Sequence, residues 1–435
     1  MPEVTGSSPV GSTITFLILS FALSLPAHGA PVIRASLGWQ GIPVMDAVNP
    51  LYISVSNPDP VPLRAELVVS QRTGSPWRGW ARLSMALDVL LTPGGRASYL
   101  LPWPVGPGAR TLSLALRRGG ETIAAEEIAL GRAAEGLHGY LGPPPAAPAY
   151  PPVPISPLDL SDPVLLSPFR ALSYKRGSLP AAAREAVAAW EAYLSERGWA
   201  FPPRTALAEA LGEVPLAPRP LGAVAAGSAL YLILLGFALG RCARTGDPRP
   251  YLALLVAALA AAGALSGFVI RGERVVEVRW ELRDAAAPRF ALVLAAVATQ
   301  EVAGWSLPGV WFELLPDEEG GWAGKDVVVE LGPGGGGTSF AVVPGDARIF
   351  WALEPRDPAP RGERYLVEGG GIRGPDGRLC PREGFIRATP RGLRPLLGWL
   401  LDRLSPGDAL WIRAEREVAR GYARHRYAVY IERGS

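Results

Sequence analysis

Two segments of this chain have residue types that can bind a phosphate group or a metal ion. Residues 332–337 read Gly-Pro-Gly-Gly-Gly-Gly, and a glycine-rich loop can cradle phosphate when a Lys-Ser/Thr pair and a helix follow it. Here Thr338 opens a strand pattern, so we interpret the run as a hairpin tip. Residues 317–319 (Asp-Glu-Glu) could bind a divalent cation, but the two glycines that follow are more typical of a solvated loop.

A basic cluster marks the last strand pattern of the chain. His425 lies between Arg424 and Arg426. Three more arginines precede it: Arg413, Arg416 and Arg420. Such a cluster could face anionic lipid or a wall polymer. Because glutamates interleave with these residues, a solvated strand face remains the alternative.

Catalytic chemistry has few candidates, since the chain has three His and two Cys. No Gly-x-Ser-x-Gly elbow is present, and neither a Ser/His/Asp nor a Cys/His arrangement can be argued from the spacing. No spacing of His, Cys and Asp is typical of a zinc site. We therefore expect no catalytic residue, no cofactor and no metal site, and we interpret His138 as surface structure.

Length and charge exclude some classes of protein. With 435 residues the chain can form two or three domains. A dispersed net charge of +3 does not favour a nucleic-acid-binding protein. Cys242 and Cys380 are too few for a disulfide framework, and the topology argued next would place them on opposite sides of a membrane.

Two apolar stretches in mid-chain predict a membrane hairpin. Residues 221–240 and 251–270 contain no charged residue, and each has about the 20 residues that a helix needs to cross a bilayer. Residues 241–250 connect them and contain three arginines: Arg241, Arg244 and Arg249. The positive-inside rule places this loop in the cytoplasm. We therefore expect a two-pass protein of the plasma membrane with both large soluble parts outside the cytoplasm.

Small residues in these stretches could let the two helices pack closely. Gly236 and Gly240 are four residues apart, and so are Gly263 and Gly267. The alternative is that Gly and Ala are simply common in this chain. Neither stretch contains an ionisable residue, which argues against a proton relay or an ion site. We expect an anchor and a possible docking face.

The first residues are similar to a secretion signal. Residues 14–25 form an apolar core, and Ala27 and Gly29 supply small residues for cleavage before Ala30. The residues before the core contain no Lys or Arg, so either the true start lies downstream or the leader is unusual. On this interpretation residues 1–29 are a signal peptide; a buried strand is the alternative.

Strand patterns dominate the soluble parts. Residues 30–142 contain about seven short alternating segments separated by turn residues, which predicts an immunoglobulin-like β-sandwich. Residues 273–435 predict a second β domain with one amphipathic helix and a final hairpin around Gly421. The expected fold is mainly β with an α-helical membrane hairpin and a small α/β segment.

The small α/β segment is expected over residues 158–218, after a stiff proline-rich linker at 143–157. Residues 163–166 predict a short buried strand, and residues 199–201 another after Gly198. Between them, apolar residues at helical spacing predict one helix: Ala183, Val187, Trp190 and Leu194.

The order of these segments resembles a group of bacterial membrane proteins whose middle segment is similar to a class I glutamine amidotransferase domain. The resemblance is carried by the following residues: Trp190, Tyr193-Leu194, Gly198, Trp199-Ala200-Phe201, Arg219-Pro220-Leu221 and Arg271-Gly272. The middle segment here has about 60 residues and contains no Cys or His, which makes a Cys–His nucleophile pair impossible there. The resemblance therefore implies a shortened, non-catalytic remnant.

Three functions are considered. We expect a non-catalytic, membrane-anchored cell-envelope protein that binds or scaffolds partners through extracytoplasmic β domains. Its partners would be the lipid bilayer and a membrane or envelope protein, not nucleic acid. The alternative is an accessory subunit of a membrane transport or export complex. A third hypothesis is an extracytoplasmic hydrolase that uses carboxylates such as Asp317 or Glu318.

Overall fold

The fold is given by a computed structural model, which describes most of the chain. The described residues are 29–75, 79–131, 133–175, 177, 179–195, 204–212, 232–233, 235–237, 239–246, 249, 252–253, 256–257, 275–299, 302–314, 326–332, 335–344, 346–356, 362–419 and 422–434.

These residues are mainly β-strand. The first ten strands are β1 (Val32–Leu37), β2 (Val48–Ser56), β3 (Leu63–Ser75), β4 (Gly79–Leu91), β5 (Arg96–Pro104), β6 (Thr111–Arg118), β7 (Glu121–Ala129), β8 (Leu137–Tyr140), β9 (Pro152–Pro154) and β10 (Phe169–Ser173). The later strands are β11 (Val275–Asp284), β12 (Phe290–Thr299), β13 (Ala303–Pro308), β14 (Phe312–Glu313), β15 (Val327–Gly332), β16 (Gly335–Val342), β17 (Ala347–Pro355), β18 (Glu363–Glu368), β19 (Gly371–Arg373), β20 (Leu379–Cys380), β21 (Ala409–Ala419) and β22 (Tyr422–Glu432). The α-helices that pack against the sheets are α1 (Ala181–Tyr193), α2 (Arg204–Gly212), α3 (Arg382–Ala388) and α4 (Arg394–Leu401).

The first seven strands form the two layers that their alternating pattern predicts. One sheet has the order β1-β2-β5, and the other contains β4-β3-β6-β7. Buried residues alternate with more exposed ones along β3 and β6, so that one face of this sheet enters the core. Gly119 and Gly120 have φ values of +58° and +90°, which fits the two-residue turn that joins β6 to β7.

The second of these sheets continues into the C-terminal part of the chain. β15 pairs with β4 in parallel, and the full order is β13-β16-β15-β4-β3-β6-β7; we call this the shared sheet. The hydrophobic core of the sandwich accordingly includes residues from both ends of the chain, such as Leu67, Val293 and Phe350. The N-terminal and C-terminal β segments are therefore packed as one body.

The C-terminal strands build a larger sheet, which we call the large sheet. Its order is β14-β17-β12-β11-β22-β21-β18-β19-β20, with β11 and β22 parallel. Helices cover one of its faces. Trp280 of β11 donates its indole N–H to the carbonyl oxygen of Gly392 at 2.8 Å, next to α4. Aliphatic residues of α2 and α4, such as Leu207 and Leu397, are buried in the same core.

A small parallel sheet lies between these parts in sequence. Its order is β10-β8-β9, and α1 buries Ala183, Val187 and Trp190 against it, as the helical spacing predicts. β9 lies inside the expected linker, and its Val153 is fully buried, so this part of the linker is packed structure. The expected strand at 163–166 is wrong: Val164–Leu166 is a 3-10 helix, since a short apolar run does not fix the backbone period.

The expected two-pass membrane topology is contradicted. Among the described residues, none of the helices combines a length of at least 18 residues with the apolar composition that a span requires. The prediction rested on composition alone, whereas crossing a bilayer requires a continuous helix of that length. Most of the two apolar stretches, 221–240 and 251–270, lies outside the described residues. Residues 1–28 of the expected signal peptide do as well.

Candidate functional site

The candidate site is built around β11, in which apolar and charged residues alternate. Successive side chains in a strand point to opposite faces. The apolar set packs toward the helices: Val276, Val278, Trp280 and Leu282. The charged set therefore points to the other face of the large sheet: Glu277, Arg279, Glu281 and Arg283.

Strand register adds charges from the neighbouring strands to this face. On β22, Arg424 pairs with Glu277 and Arg426 with Arg279. On β21, Glu415 lies opposite Arg426, and Arg413 lies opposite Ala428. We call the surface formed by β11, β22 and β21 on this side the charged face.

Part of this side of the large sheet is covered and part is open. The residues of β12 that share this side are apolar, and they enter the core shared with the sandwich: Ala291, Val293, Ala295 and Val297. The charged face is left as a groove of about 580 Å³. We call it the charged groove; Pro308 of β13 lies on its rim, and Ala428 and Val293 lie between its charged walls. Among the described residues that line it are five Arg and three Glu: Arg279, Arg283, Arg356, Arg413, Arg426, Glu281, Glu354 and Glu415.

A buried carboxylate anchors the inner end of the groove. The Glu277 side chain is fully buried, and Arg424 donates to its Oε2 at 3.1 Å while Arg279 Nε donates to its Oε1. Tyr422 donates its hydroxyl to the same Oε2 at 3.4 Å, and burial together with the charge of Glu277 raises the pKa of Tyr422 to about 12. Arg279 also lies over the ring of Trp311 at 5.3 Å. These contacts fix the positions of Arg279 and Arg424 on the charged face.

Two N–H groups at this inner end have no acceptor. Arg279 Nη2 and Arg424 Nε are buried and lack a hydrogen-bond partner within the described part of the chain. Glu277 is the buried carboxylate of this cluster, and Glu417 lies 3.7 Å from Arg424 on its exposed side. Buried donors are usually paired, so these two N–H groups can donate to a further acceptor at the inner end of the groove.

The ion pairs on the walls of the groove are more exposed. Arg283 pairs with Glu281, and Arg356 reaches the same carboxylate at 3.6 Å. Arg413 pairs with Glu415, and these side chains are 52% and 45% exposed. Pairs at such exposure contribute about 0–1 kcal/mol, so an incoming acidic group can replace a wall glutamate at small cost.

An aromatic pair closes the outer end of the groove. Trp411 and Tyr430 are directly opposite in the β21–β22 ladder, with ring centroids 5.4 Å apart in an edge-to-face arrangement. Arg364 of β18 lies over the Trp411 ring at 5.3 Å. Burial raises the pKa of Tyr430, and the negative charges of Glu432 and Asp284 act in the same direction. The outer end thus offers apolar ring surface bordered by another cation.

The structure divides the basic cluster expected around His425. Arg413, Arg424 and Arg426 lie on the charged face, whereas Arg416 and His425 are paired on the opposite face. Strand alternation causes this separation. Arg420 lies outside the described residues. The contribution of β11 was missed, although the alternation of Glu277, Arg279, Glu281 and Arg283 with apolar residues was a signal for it.

Other expected site residues do not gather at the groove. Gly332 at the end of β15 pairs with Gly335 at the start of β16, as the hairpin interpretation predicts, and residues 333–334 lie outside the described residues. His138 lies on β8 and is 2.7 Å from Ser173 through its Nε2. Residues 317–319, Asp317 and Glu318 among them, lie outside the described residues.

The glycines and arginines of the expected membrane hairpin are described only in part. Gly236, Gly240, Arg241 and Arg244 are helical and exposed, and Arg249 is exposed as well. Apart from neighbouring residues of the same helix, no described atom lies within 4 Å of the place where a Cβ would stand on Gly236 or Gly240. Gly263 and Gly267 lie outside the described residues, so the packing role of the four glycines remains a prediction.

The groove contains charged and aromatic groups that can bind a ligand. The described residues that line it include no Ser, Cys or His that could act as a nucleophile with a neighbouring base. Within the described ranges, no three His, Cys, Asp or Glu residues come together as a metal site. The side chains present can hold acidic groups through charge-assisted hydrogen bonds and apolar groups through the aromatic pair.

Comparisons with known proteins do not identify a family. No protein-family model matches the chain, and no curated protein matches it. Among solved structures, an alkylpurine DNA glycosylase from Pseudomonas fluorescens shares 11% identity over 26% of this chain and 33% of that chain, with a TM-score of 0.18. A β-D-glucoside glucohydrolase from Trichoderma reesei shares 14% identity over 30% of this chain and 24% of that chain, with a TM-score of 0.14. Similarities at these scores do not indicate a common fold or function.

Proposed function

We propose that this chain is a non-catalytic binding protein that takes an acidic partner into the charged groove. The observation that carries the proposal is the uncovered part of the large sheet, where arginines outnumber the glutamates that line the same surface. A sheet face that only needed to be soluble could carry small polar residues, whereas this face concentrates long cationic side chains around a concave surface. Arginine suits the binding of carboxylates because its planar fork can donate two parallel hydrogen bonds.

The rest of the fold supports a role in holding this surface. We infer that residues 30–142 are an immunoglobulin-like sandwich, since the two sheets β1-β2-β5 and β4-β3-β6-β7 are typical of that architecture. β10 and α1 support a small α/β segment within residues 158–218, the part that resembles a shortened amidotransferase remnant, and β8 and β9 from the preceding residues complete its parallel sheet. Such a scaffold would present the groove on a rigid support.

The proposal is tested with an acidic polymer and a charge-reduced groove. Fluorescein-labelled poly-glutamate should bind the wild-type chain, and the double variant Arg413→Gln/Arg426→Gln should bind at least about tenfold more weakly, because each lost charge-assisted contact is worth about 1 kcal/mol or more. Arg387→Gln is the matched control, since Arg387 is 81% exposed on α3 and does not line the groove. Fluorescence anisotropy measures the affinities, and equal affinities for wild type and double variant would refute the proposal.

A further inference from the structure

We propose that the acidic partner is an extended peptide that lies along β22, with acidic side chains at alternate positions and an apolar residue at one end. This inference rests on the proposed function, because it names the partner of the same groove. The spacing of the arginines, the small side chain of Ala428 between them and the aromatic pair all favour such a peptide.

The arginines of the groove repeat along the strand direction. Arg279 and Arg426 are paired at the inner level. Arg413 marks the next level through its pairing with Ala428, and Arg283 marks the third through its pairing with Tyr430. Successive levels are two residues apart, which in a strand is about 6.6–6.8 Å. Side chains on one face of an extended peptide have the same repeat, so alternate acidic residues can each reach one level.

The middle of the groove has room for a peptide backbone. Ala428 carries a side chain of a single methyl group and lies between Glu281 and Arg413, which are its neighbours on the two adjacent strands. Longer charged side chains stand on both sides of it, so Ala428 forms a low point in the charged face. A backbone that runs over this point would place its side chains between the two walls.

The aromatic pair sets a direction for the peptide. Trp411 and Tyr430 lie at the outer level, where the arginine series ends. Arg364 covers one face of the Trp411 ring, and the Trp411 and Tyr430 rings meet edge to face. A leucine or aromatic residue after the last acidic position would contact these rings and remove apolar surface from water, which strengthens binding.

The wall glutamates compete with the peptide. Glu415 pairs with Arg413, and both side chains are about half exposed. An acidic peptide residue must displace Glu415 to reach Arg413. Removing the charge of Glu415 should therefore strengthen binding, whereas removing the charge of Arg413 should weaken it. Two changes within one ion pair thus have opposite expected effects, which a loss of fold stability alone would not produce.

The test uses three probes and full-length protein. The first is a labelled peptide with three Glu residues at alternate positions, separated by Ser and followed by Trp. The second has the same composition with the three Glu residues adjacent, and the third is labelled polygalacturonate, an acidic polysaccharide. We expect the alternate peptide to bind at least about fivefold more tightly than the adjacent isomer, because only its carboxylates match all three levels.

Four variants complete the experiment. Arg413→Gln should weaken binding of the alternate peptide about tenfold, Glu415→Gln should tighten it severalfold, and Ala428→Phe should abolish it by filling the low point. Arg387→Gln is the control and should bind like wild type. Circular dichroism and urea unfolding test whether each variant remains folded. If Ala428→Phe fails to fold, the opposite changes in affinity expected for Arg413→Gln and Glu415→Gln still test the proposal.

The outcomes separate the two proposals. If poly-glutamate and all three probes fail to bind, the proposed function is wrong. If the adjacent isomer or polygalacturonate binds as tightly as the alternate peptide, the groove takes acidic polymers in general and the peptide inference is overturned. If Glu415→Gln weakens binding as Arg413→Gln does, the competition argument is wrong and the inference fails with it.

Discussion

Arg348 of β17 is a fully buried cation that contacts both large layers of the molecule. It pairs through two nitrogens with Glu313 of β14, and Nη2 is 2.8 Å from Oε2. Its Nη1 donates to the carbonyl oxygen of Ala341 on β16 of the shared sheet at 2.8 Å. The rings of Phe340 and Phe350 lie at 5.4 and 5.6 Å from its guanidinium. Because its charge and its donors are compensated inside the core, this pair can exist without water.

Replacing Arg348 with Met should strongly destabilise the protein. The change leaves the carboxylate of Glu313 without its partner in the core, and breaking a buried pair in this way costs about 3–5 kcal/mol of unfolding free energy. The double variant Arg348→Met/Glu313→Gln should lose less, because it removes both charges. Urea denaturation followed by tryptophan fluorescence measures the differences.

An exposed pair provides the control for this prediction. Arg387 and Glu383 on α3 are 81% and 87% exposed, so Arg387→Ala should change the unfolding free energy by at most about 0.5 kcal/mol. Equal losses for Arg348→Met and Arg387→Ala would contradict the assigned role of the buried pair.

At the scale of elements, Tyr193 of α1 forms hydrogen bonds to the large sheet. Its side chain is fully buried, and its hydroxyl donates to the carbonyl oxygen of Phe290 at 3.0 Å. The same hydroxyl accepts the backbone N–H of Asp284 at 2.8 Å. These two residues end β11 and begin β12, so one phenol joins the helix to a strand connection.

The phenol of Tyr193 should make stability sensitive to alkaline pH. Burial raises its pKa above the ordinary value of about 10, and the charge of Asp284 acts in the same direction. The unfolded chain therefore loses this proton first, so the contribution is full below about pH 10 and declines as the pH rises toward the folded-state pKa. Tyr193→Phe should lower stability at neutral pH by about 1–3 kcal/mol and show a smaller decline between about pH 9 and 11.

Other tyrosines also contribute to the alkaline loss of stability. Burial is the first cause that raises the pKa values of Tyr365 and Tyr422 to about 12, and it also raises those of Tyr427 and Tyr430, so some alkaline sensitivity should remain in Tyr193→Phe. Tyr174→Phe is the control, because Tyr174 donates to Glu191 at an exposed site. If Tyr193→Phe and wild type decline equally in urea titrations across this range, the hydroxyl of Tyr193 does not have the predicted role.

Local elements were predictable from the sequence where a pattern is long and regular. The alternation in β3 and β11 and the helical spacing in α1 identify both the element and its buried face. Short segments were less predictable: α3 was missed, and Val164–Leu166 was assigned to a strand. Neighbours in a sheet were not predictable, because periodicity gives the face of a strand and not the strand beside it.

The candidate site shows the same limit. The sequence pointed to Arg413, Arg424 and Arg426, which do lie on the charged face. It could not show that β11 pairs in parallel with β22, a contact between residues about 150 positions apart, and therefore it could not add Arg279 or Glu277. The expected membrane hairpin failed for a related reason, since an apolar composition does not by itself establish a continuous helix.

At the scale of the whole molecule, the two β segments depend on one core. Leu67 of β3 is fully buried in a cluster that also contains Val293 of β12 and Phe350 of β17. The parallel pairing of β4 with β15 continues the backbone hydrogen bonding between the segments. We therefore expect both segments to unfold in one cooperative transition.

A core substitution in one segment should reduce the protection of the other. Leu67→Ala should lower the unfolding free energy by about 2–5 kcal/mol, and hydrogen exchange should speed up in peptides from β3 and from β11 alike. Leu158→Ala, at a side chain that is 85% exposed, is the control and should change neither. If β11 keeps its protection while β3 loses it, the segments fold independently and the prediction is wrong. Mass spectrometry measures the hydrogen exchange of peptides from both segments in one sample.

The junction between β4 and β15 also has a consequence for the time course of biosynthesis. The backbone N–H of Arg82 is bound by Asp326 at 2.8 Å, across a separation of 244 residues. A ribosome adds about 5–20 residues per second. About 12–50 seconds therefore pass between the synthesis of β4 and that of β15, which pairs with the edge of β4. An unpaired strand edge is a template for association with other chains. The nascent protein is therefore most exposed to aggregation while this one edge is open, and the speed of translation sets how long that interval lasts.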